Sequence, residues 1–135
     1  MPGPWPCATV QTARLTMTPD DRRQREAAGR RAESLAAFWL RLKGYRIIAR
    51  RHRTPVGEID ILAGKGNILV AVEVKNRPSL ETGLSAVTPK QWSRIARAMQ
   101  WTFSARPDLA EMDGRFDLIV VCGLRPHHIT DAWQP

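Results

Sequence analysis

The sequence predicts an α/β fold, a mixed β-sheet flanked by helices in the order α-β-β-β-α-β. Three observations carry that prediction. A long stretch with apolar residues spaced by three and four opens the patterned part of the chain. Three strand-like runs follow it closely, the second and third separated by a glycine-rich turn. After one more amphipathic stretch, "RFDLIVVCGL" (115–124) is almost unbroken in its apolar character, as a strand buried on both faces would be. With 135 residues the chain suits one domain with a proper core.

Residues 1–18 hold Pro2, Gly3, Pro4 and Pro6 and no periodic pattern, so they read as a disordered extension ahead of a single domain over 19–135. Met17 is a candidate natural start. The first helix is expected from Pro19 to Lys43. Thr18 or Asp20 can cap it, Asp20 and Asp21 suit its positive end, and Gly44 suits its stop. Ala28, Ala32, Leu35, Trp39 and Leu42 mark its buried stripe, with Glu33 on the flank shared with Ala36 and Leu40. Strands are expected at 45–51, 58–64 and 67–75. The short turn at 64–67 makes the last two an antiparallel hairpin. Residues 76–88 form a long connection. A second helix fits 89–105, capped by Thr88, with Trp92, Ile95, Ala96, Met99 and Phe103 inward. A helix between the third and last strands permits their parallel pairing through a crossover. The tail "HHITDAW" can add an edge strand.

The formal charge is +8 and lies wholly in the first part of the chain: residues 1–53 hold 12 basic and 4 acidic residues, and residues 54–135 hold 9 of each. A basic segment beside a neutral, acid-bearing one suits a polyanionic partner. An arginine-rich solvated helix face is the equally open reading. No window has the apolar length of a membrane span, and no signal-type apolar core is present, so a cytoplasmic protein with no membrane partner is expected. Cys7 and Cys122 have no zinc or disulfide spacing, in keeping with that location.

Charges interrupt the hairpin "GEIDILAGKGNILVAVEVK". Side chains at i and i+2 share a strand face, so Glu58 groups with Asp60 and Glu73 with Lys75, each pair about 7 Å apart. The hairpin can set the two pairs side by side. Carboxylates that converge in a partly buried site repel each other unless a proton or a cation intervenes. A hard divalent ion such as Mg²⁺ or Mn²⁺ would take their oxygens, with Lys75 adding a point positive charge. For any single Glu-x-Lys on a strand, a structural ion pair is the commoner reading. The combination with the Gly-Glu-x-Asp strand and the Glu33-bearing basic helix shifts the balance towards a site.

Asp60, Glu73 and Lys75 resemble the signature of the PD-(D/E)xK nuclease superfamily, the restriction-endonuclease-like fold, and the element order agrees with its core. More closely, the stretch from "GRRAESLAAFWLRLKGYRIIARRHR" through the hairpin to "VEVKNR", then "VTPKQWSRIARA" and "RFDLIVV", is similar to the YraN-type bacterial family, itself similar to archaeal Holliday-junction resolvases. The resemblance implies Asp60 and Glu73 as metal ligands, Glu33 as a further ligand and Lys75 as the catalytic lysine. It implies a Mg²⁺- or Mn²⁺-dependent endonuclease on branched or otherwise structured DNA, and a homodimer by analogy with resolvases. Ile59 stands where the superfamily name expects proline.

Arg50, Arg51, Arg53, Arg30 and Lys90 are the candidate contacts to a nucleic-acid backbone. Glu58 and Gln91 are candidates for support around the acids, and Glu58 can instead pair with one of the strand arginines. Asp117 reads as a structural partner of Arg115. His52, His127 and His128 read as surface residues, and Trp92 and Trp101 as core. No glycine-rich phosphate loop is present, against an NTPase. The other reading in class is a nucleic-acid-binding protein with a vestigial metal site.

Overall fold

The computed structural model describes residues 18–135. The proposed start at Met17, Cys7 and all of the predicted extension but Thr18 lie outside the described residues.

Helix α1 (Pro19–Leu42) starts on a reciprocal cap: Thr18 Oγ1 accepts from the Asp21 amide at 3.1 Å, and Asp21 Oδ2 accepts from the Thr18 amide at 3.1 Å. It ends where Gly44 takes φ +89°, a left-handed conformation that costs glycine little. Its buried residues are Ala32, Ala36, Ala37 and Leu40. The stripe is therefore rotated from the expected one: Leu42 is 65 % exposed and Leu35 and Trp39 are only partly covered. Alanines let the helix approach the sheet closely, and the larger side chains spread to its flanks. Glu33 now lies in line with Ala36, Ala37 and Leu40, on the packed face rather than beside it.

Five strands follow: β1 (Arg46–Thr54), β2 (Gly57–Lys65), β3 (Ile68–Asn76), β4 (Asp113–Cys122) and β5 (Arg125–Ile129). They form one sheet in the order β1-β2-β3-β4-β5, antiparallel throughout except for the parallel pair β3–β4. The expected first strand is longer than predicted, and the edge strand of the tail is β5. The crossover between β3 and β4 carries two helices, α2 (Leu80–Ser85) and α3 (Pro89–Ala105). The first of these corrects the reading of 76–88 as a plain connection.

The sheet is sandwiched. On one face Ile61, Ala63, Val70, Val72, Ile119 and Val121 meet the small residues of α1. On the other, Ile59, Leu62, Leu69, Ala71, Leu118 and Val120 meet Trp92, Ile95, Ala98 and Met99 of α3. Trp101, expected in the core, is instead 39 % exposed on the outer side of α3. Helix α2 lies so close to β4 that a methyl group at Gly83 would overlap the Val120 side chain. Gly83→Ala should therefore lower stability by about 1–3 kcal/mol in urea unfolding, despite alanine's better helix propensity. A neutral or stabilising result would show that α2 shifts freely on the sheet.

Asp117 is fully buried on β4 and bound by three groups. Arg115 Nε and Nη2 donate to it at 2.8 Å each, His128 Nε2 lies at 2.7 Å, and the Asp131 amide donates at 3.0 Å. The structural pairing expected with Arg115 is present. His128, however, is not a surface residue: its side chain is buried against Asp117 on the neighbouring strand β5. Its other nitrogen faces Lys43 Nζ at 2.7 Å. A lysine ammonium can only donate, so Nδ1 accepts and Nε2 carries the proton given to Asp117. Burial pushes the Asp117 carboxyl up, but the bonds from His128, Arg115 and the Asp131 amide outweigh it and hold it below the usual range. His52 is likewise part-buried, with a ring nitrogen 2.8 Å from Thr102 Oγ1 of α3. Burial, then the charge of Arg106, lowers its pKa.

Candidate metal and nucleic-acid site

The site sits where two neighbouring strands part. Strands β2 and β3 pair from Lys65↔Ile68 to Ile61↔Val72. Beyond that point β2 continues on β1 as far as Gly57↔Thr54, while β3 continues on β4 as far as Asn76↔Val121. The two strands thus open like a fork. Ile59 packs on the α3 side and Ile61 on the α1 side, so the side-chain alternation of β2 is broken between them. The break falls at Asp60, so strand parity no longer ties its direction to that of Glu58.

Asp60 fills the fork. Its Oδ2 accepts from the Val74 amide at 2.9 Å, and its carboxyl lies within hydrogen-bonding reach of Glu73. Lys75 Nζ is 3.1 Å from Glu73 Oε2, and the Lys75 and Glu73 side chains are 17 % and 13 % exposed. The three residues singled out from the sequence therefore meet. Burial first, and then the charge of Glu73, pushes the Asp60 carboxyl up to about 7, against the opposing pull of the Val74 amide and Lys75.

Glu33 does not join them. It pairs with Arg51, whose Nε donates to Glu33 Oε1 at 3.0 Å. Arg51 takes φ +50°, a region sparsely populated by residues with a Cβ. The pairs Arg50↔Ile61 and His52↔Ile59 put it opposite Asp60 on the neighbouring strand, and the charges of Glu58 and Asp60 reach its guanidinium after that of Glu33. Arg51 thus binds the helix glutamate from the strand position opposite Asp60. Among the described residues no three His, Cys, Asp or Glu side chains group as a metal cage. The acids that come together are Asp60 and Glu73.

The remaining candidates lie around this core. Glu58 pairs with Arg53 at 3.5 Å on the exposed side of the hairpin, the alternative the sequence left open. Gln91 is occupied in capping α3, where its Oε1 accepts from the Thr88 amide at 2.9 Å. Lys90 and Arg30 are exposed, and Arg50 donates to Ser34 Oγ at 3.0 Å. Two further cations were not among the site candidates read from the sequence. Arg25 and Arg77 line a cavity that also reaches Lys75. Arg77 follows Lys75 at i+2, so strand parity alone could have pointed to it.

The fixed chemistry of this arrangement is a half-buried pair of carboxyl groups with a lysine against one of them. Asp60 Oδ2 is engaged by a backbone amide and Glu73 Oε2 by an ammonium, leaving one oxygen on each acid to share a proton or a cation. Two hard oxygen donors with no thiol or imidazole among them fit Mg²⁺ or Mn²⁺.

Comparison with known sequences gives the lineage. A UPF0102 protein of Parvibaculum lavamentivorans is 44 % identical over 108 residues, covering 79 % of this chain and 81 % of that protein. One from Caulobacter sp. (strain K31) is 50 % identical over 107 residues, 78 % of this chain and 77 % of that protein. UPF0102 protein amb4503 of Paramagnetospirillum magneticum is 43 % identical over 120 residues, 83 % of this chain and 93 % of that protein. The profile described as "Uncharacterised protein family UPF0102" matches residues 32–121, a span that includes the fork and its acids. The chain belongs to the UPF0102 family, the YraN-type group that its motifs resemble.

Proposed function

We propose that the protein is a metal-dependent endonuclease that hydrolyses phosphodiester bonds in DNA, with branched or otherwise structured DNA as its substrate. The observation that carries this reading is the meeting of Asp60, Glu73 and Lys75 in the fork between β2 and β3. Asp60 and Glu73 would hold Mg²⁺ or Mn²⁺, which supplies Lewis-acid activation of water and charge neutralisation at the phosphate. The Val74 amide orients Asp60. Lys75, held by Glu73, presents an ammonium that can donate to a phosphate oxygen as negative charge builds there. Arg51 could hold the backbone of the strand being cut, once phosphate competes with Glu33 for its guanidinium. A homodimer and a cytoplasmic location belong to the same proposal.

The test is cleavage of branched, single-stranded and blunt duplex DNA by purified protein with Mg²⁺, with Mn²⁺ and with EDTA. Metal-dependent nicking, strongest on the branched substrate, is expected. Metal-dependent binding without nicking on any of the three would favour a non-catalytic nucleic-acid-binding protein.

The acid pair also sets a pH dependence. The folded Asp60 carboxyl titrates near 7 and its ordinary value is 3.8. The folded state therefore holds more protons between those values, and stability from this group is full below about pH 4 and lost as pH rises through about 7. Without metal, urea stability should fall across that window by a few kcal/mol at most, with a smaller fall in Asp60→Asn. Millimolar Mg²⁺ should restore it at pH 8 by replacing the proton. Identical pH profiles for the two proteins would mean that Asp60 ionises without strain.

A further inference from the structure

We infer that a groove along the middle of α1 binds one unpaired nucleotide of a single-stranded polynucleotide, its phosphate at a basic end and its base at an apolar end. The inference rests on the nuclease reading only for its position beside the acids. The groove itself is visible without it.

Two cavities at the carboxyl ends of the parallel strands β3 and β4 share Ala28 and Asn76 and so form one groove. Such strand ends are a general place for ligands in α/β sheets. The first cavity, about 580 Å³, is lined by Arg25, Gly29, Asn76, Arg77 and the site lysine Lys75. Neither Arg25 nor Arg77 forms an ion pair among the described residues, although Arg25 lies within the field of Asp21. Two guanidinium groups without a carboxylate partner, beside a side-chain amide, suit a phosphate. Gly29 has no side chain to narrow the approach.

The second cavity, about 350 Å³, has a different character. Leu35 and Leu124 give it an apolar wall, and Arg31 stands on the same lining. Leu124 is 86 % exposed at the tip of the two-residue turn between β4 and β5, where Gly123 takes φ +65°. At this tip Leu124 contributes nothing to the core, and with Leu35 on the same lining it offers an apolar contact to whatever occupies the cavity. A nucleobase has an apolar face, and an arginine plane can stack on it. A paired base keeps both faces in the duplex stack, so only an unpaired one can enter. Charge complementarity at one end and the apolar wall at the other select a strand of nucleic acid over an apolar peptide. The groove starts at Lys75, so a nucleotide in it would follow directly on the phosphate at the acids.

The test is fluorescence anisotropy in EDTA, which removes cleavage from the readout, with labelled ten-residue oligothymidylate, oligouridylate and a blunt DNA hairpin. Wild type should bind a single strand at least about tenfold more tightly than the hairpin, and the tighter of the two single strands identifies DNA or RNA as the source. Arg25→Ala with Arg77→Ala should weaken single-strand binding at least tenfold and reduce the salt slope by about 0.7, the value for one phosphate on a single strand. Leu124→Ser, at an exposed turn outside the core, should weaken it about three- to tenfold and leave the salt slope unchanged. Equal affinity for single strand and hairpin, or an unaltered affinity in Leu124→Ser, would overturn the proposal. A nuclease that cuts yet shows either result would retain its activity assignment and lose this groove, whereas selective binding without cleavage would do the reverse.

Discussion

Asp60→Ala and Glu73→Ala should each reduce metal-dependent cleavage by at least about three orders of magnitude while DNA binding is retained or strengthened. Each would remove one of the two carboxylates proposed to hold the metal, and among the described residues no group of three His, Cys, Asp or Glu offers another cage. The loss of charge-stabilising groups at the reacting centre is worth a hundred- to thousandfold even for a single hydrogen-bond donor. Binding should hold because each change deletes a negative charge near the phosphates. Lys75→Ala tests the other half of the arrangement. It should cut the rate by a similar factor, and it should leave the Asp60 carboxyl harder to ionise, since the charge of Lys75 opposes its upward shift. The measurement is single-turnover nicking alongside anisotropy on the same substrate. Cleavage that survives in both acid variants would place the activity elsewhere.

The second large effect is on stability and lies away from the site. Asp117→Ala should cost about 3–5 kcal/mol, since it leaves Arg115 and His128 facing an emptied, buried position. That is a large share of the roughly 5–15 kcal/mol that holds a domain together. Asp117→Asn should fall short of rescue, because a neutral amide cannot accept equally from the guanidinium, the imidazole and the Asp131 amide. His128→Ala should cost less, as Arg115 and the backbone amide still satisfy the carboxylate. Urea unfolding of the three variants checks the order. A mild Asp117→Ala would mean that water enters and solvates the partners.

Much of the architecture could be read from the chain. The period of two in the strands and the short turn, Gly66–Asn67, fixed which residues of β2 and β3 are neighbours, and that alone brings Asp60 to Glu73. The parallel pairing of β3 with β4 followed from the helical connection between them. What escaped has physical causes. Helix α2 has only six residues, too few for periodicity to register, and its middle residue Gly83 argues locally against a helix. The stripe of α1 was misplaced because hydropathy favours Trp39 and Leu42, whereas close packing favours Ala36 and Ala37. His128 is polar and near the chain end, so nothing in its neighbours signals that Asp117 would bury it. The broken alternation at Ile59 and Ile61 has no compositional mark, yet it falls at Asp60, the acid that turns into the fork while Glu58 pairs with Arg53. The reach of Glu33 was foreseeable, but its engagement with Arg51 depends on a left-handed arginine that no sequence rule would place there.

The parting of β2 and β3 makes one backbone amide a gauge of the site. Val74 donates its N–H to Asp60 Oδ2. A carboxylate is a stronger acceptor than a protonated acid, so the nitrogen and proton chemical shifts of Val74 should move as Asp60 ionises, and its hydrogen exchange should slow. A cation drawing on the same carboxylate would perturb that resonance without any substrate present. One peak in an amide correlation spectrum would thus report proton or metal occupancy from inside the sheet, even if the protein turned over no DNA at all.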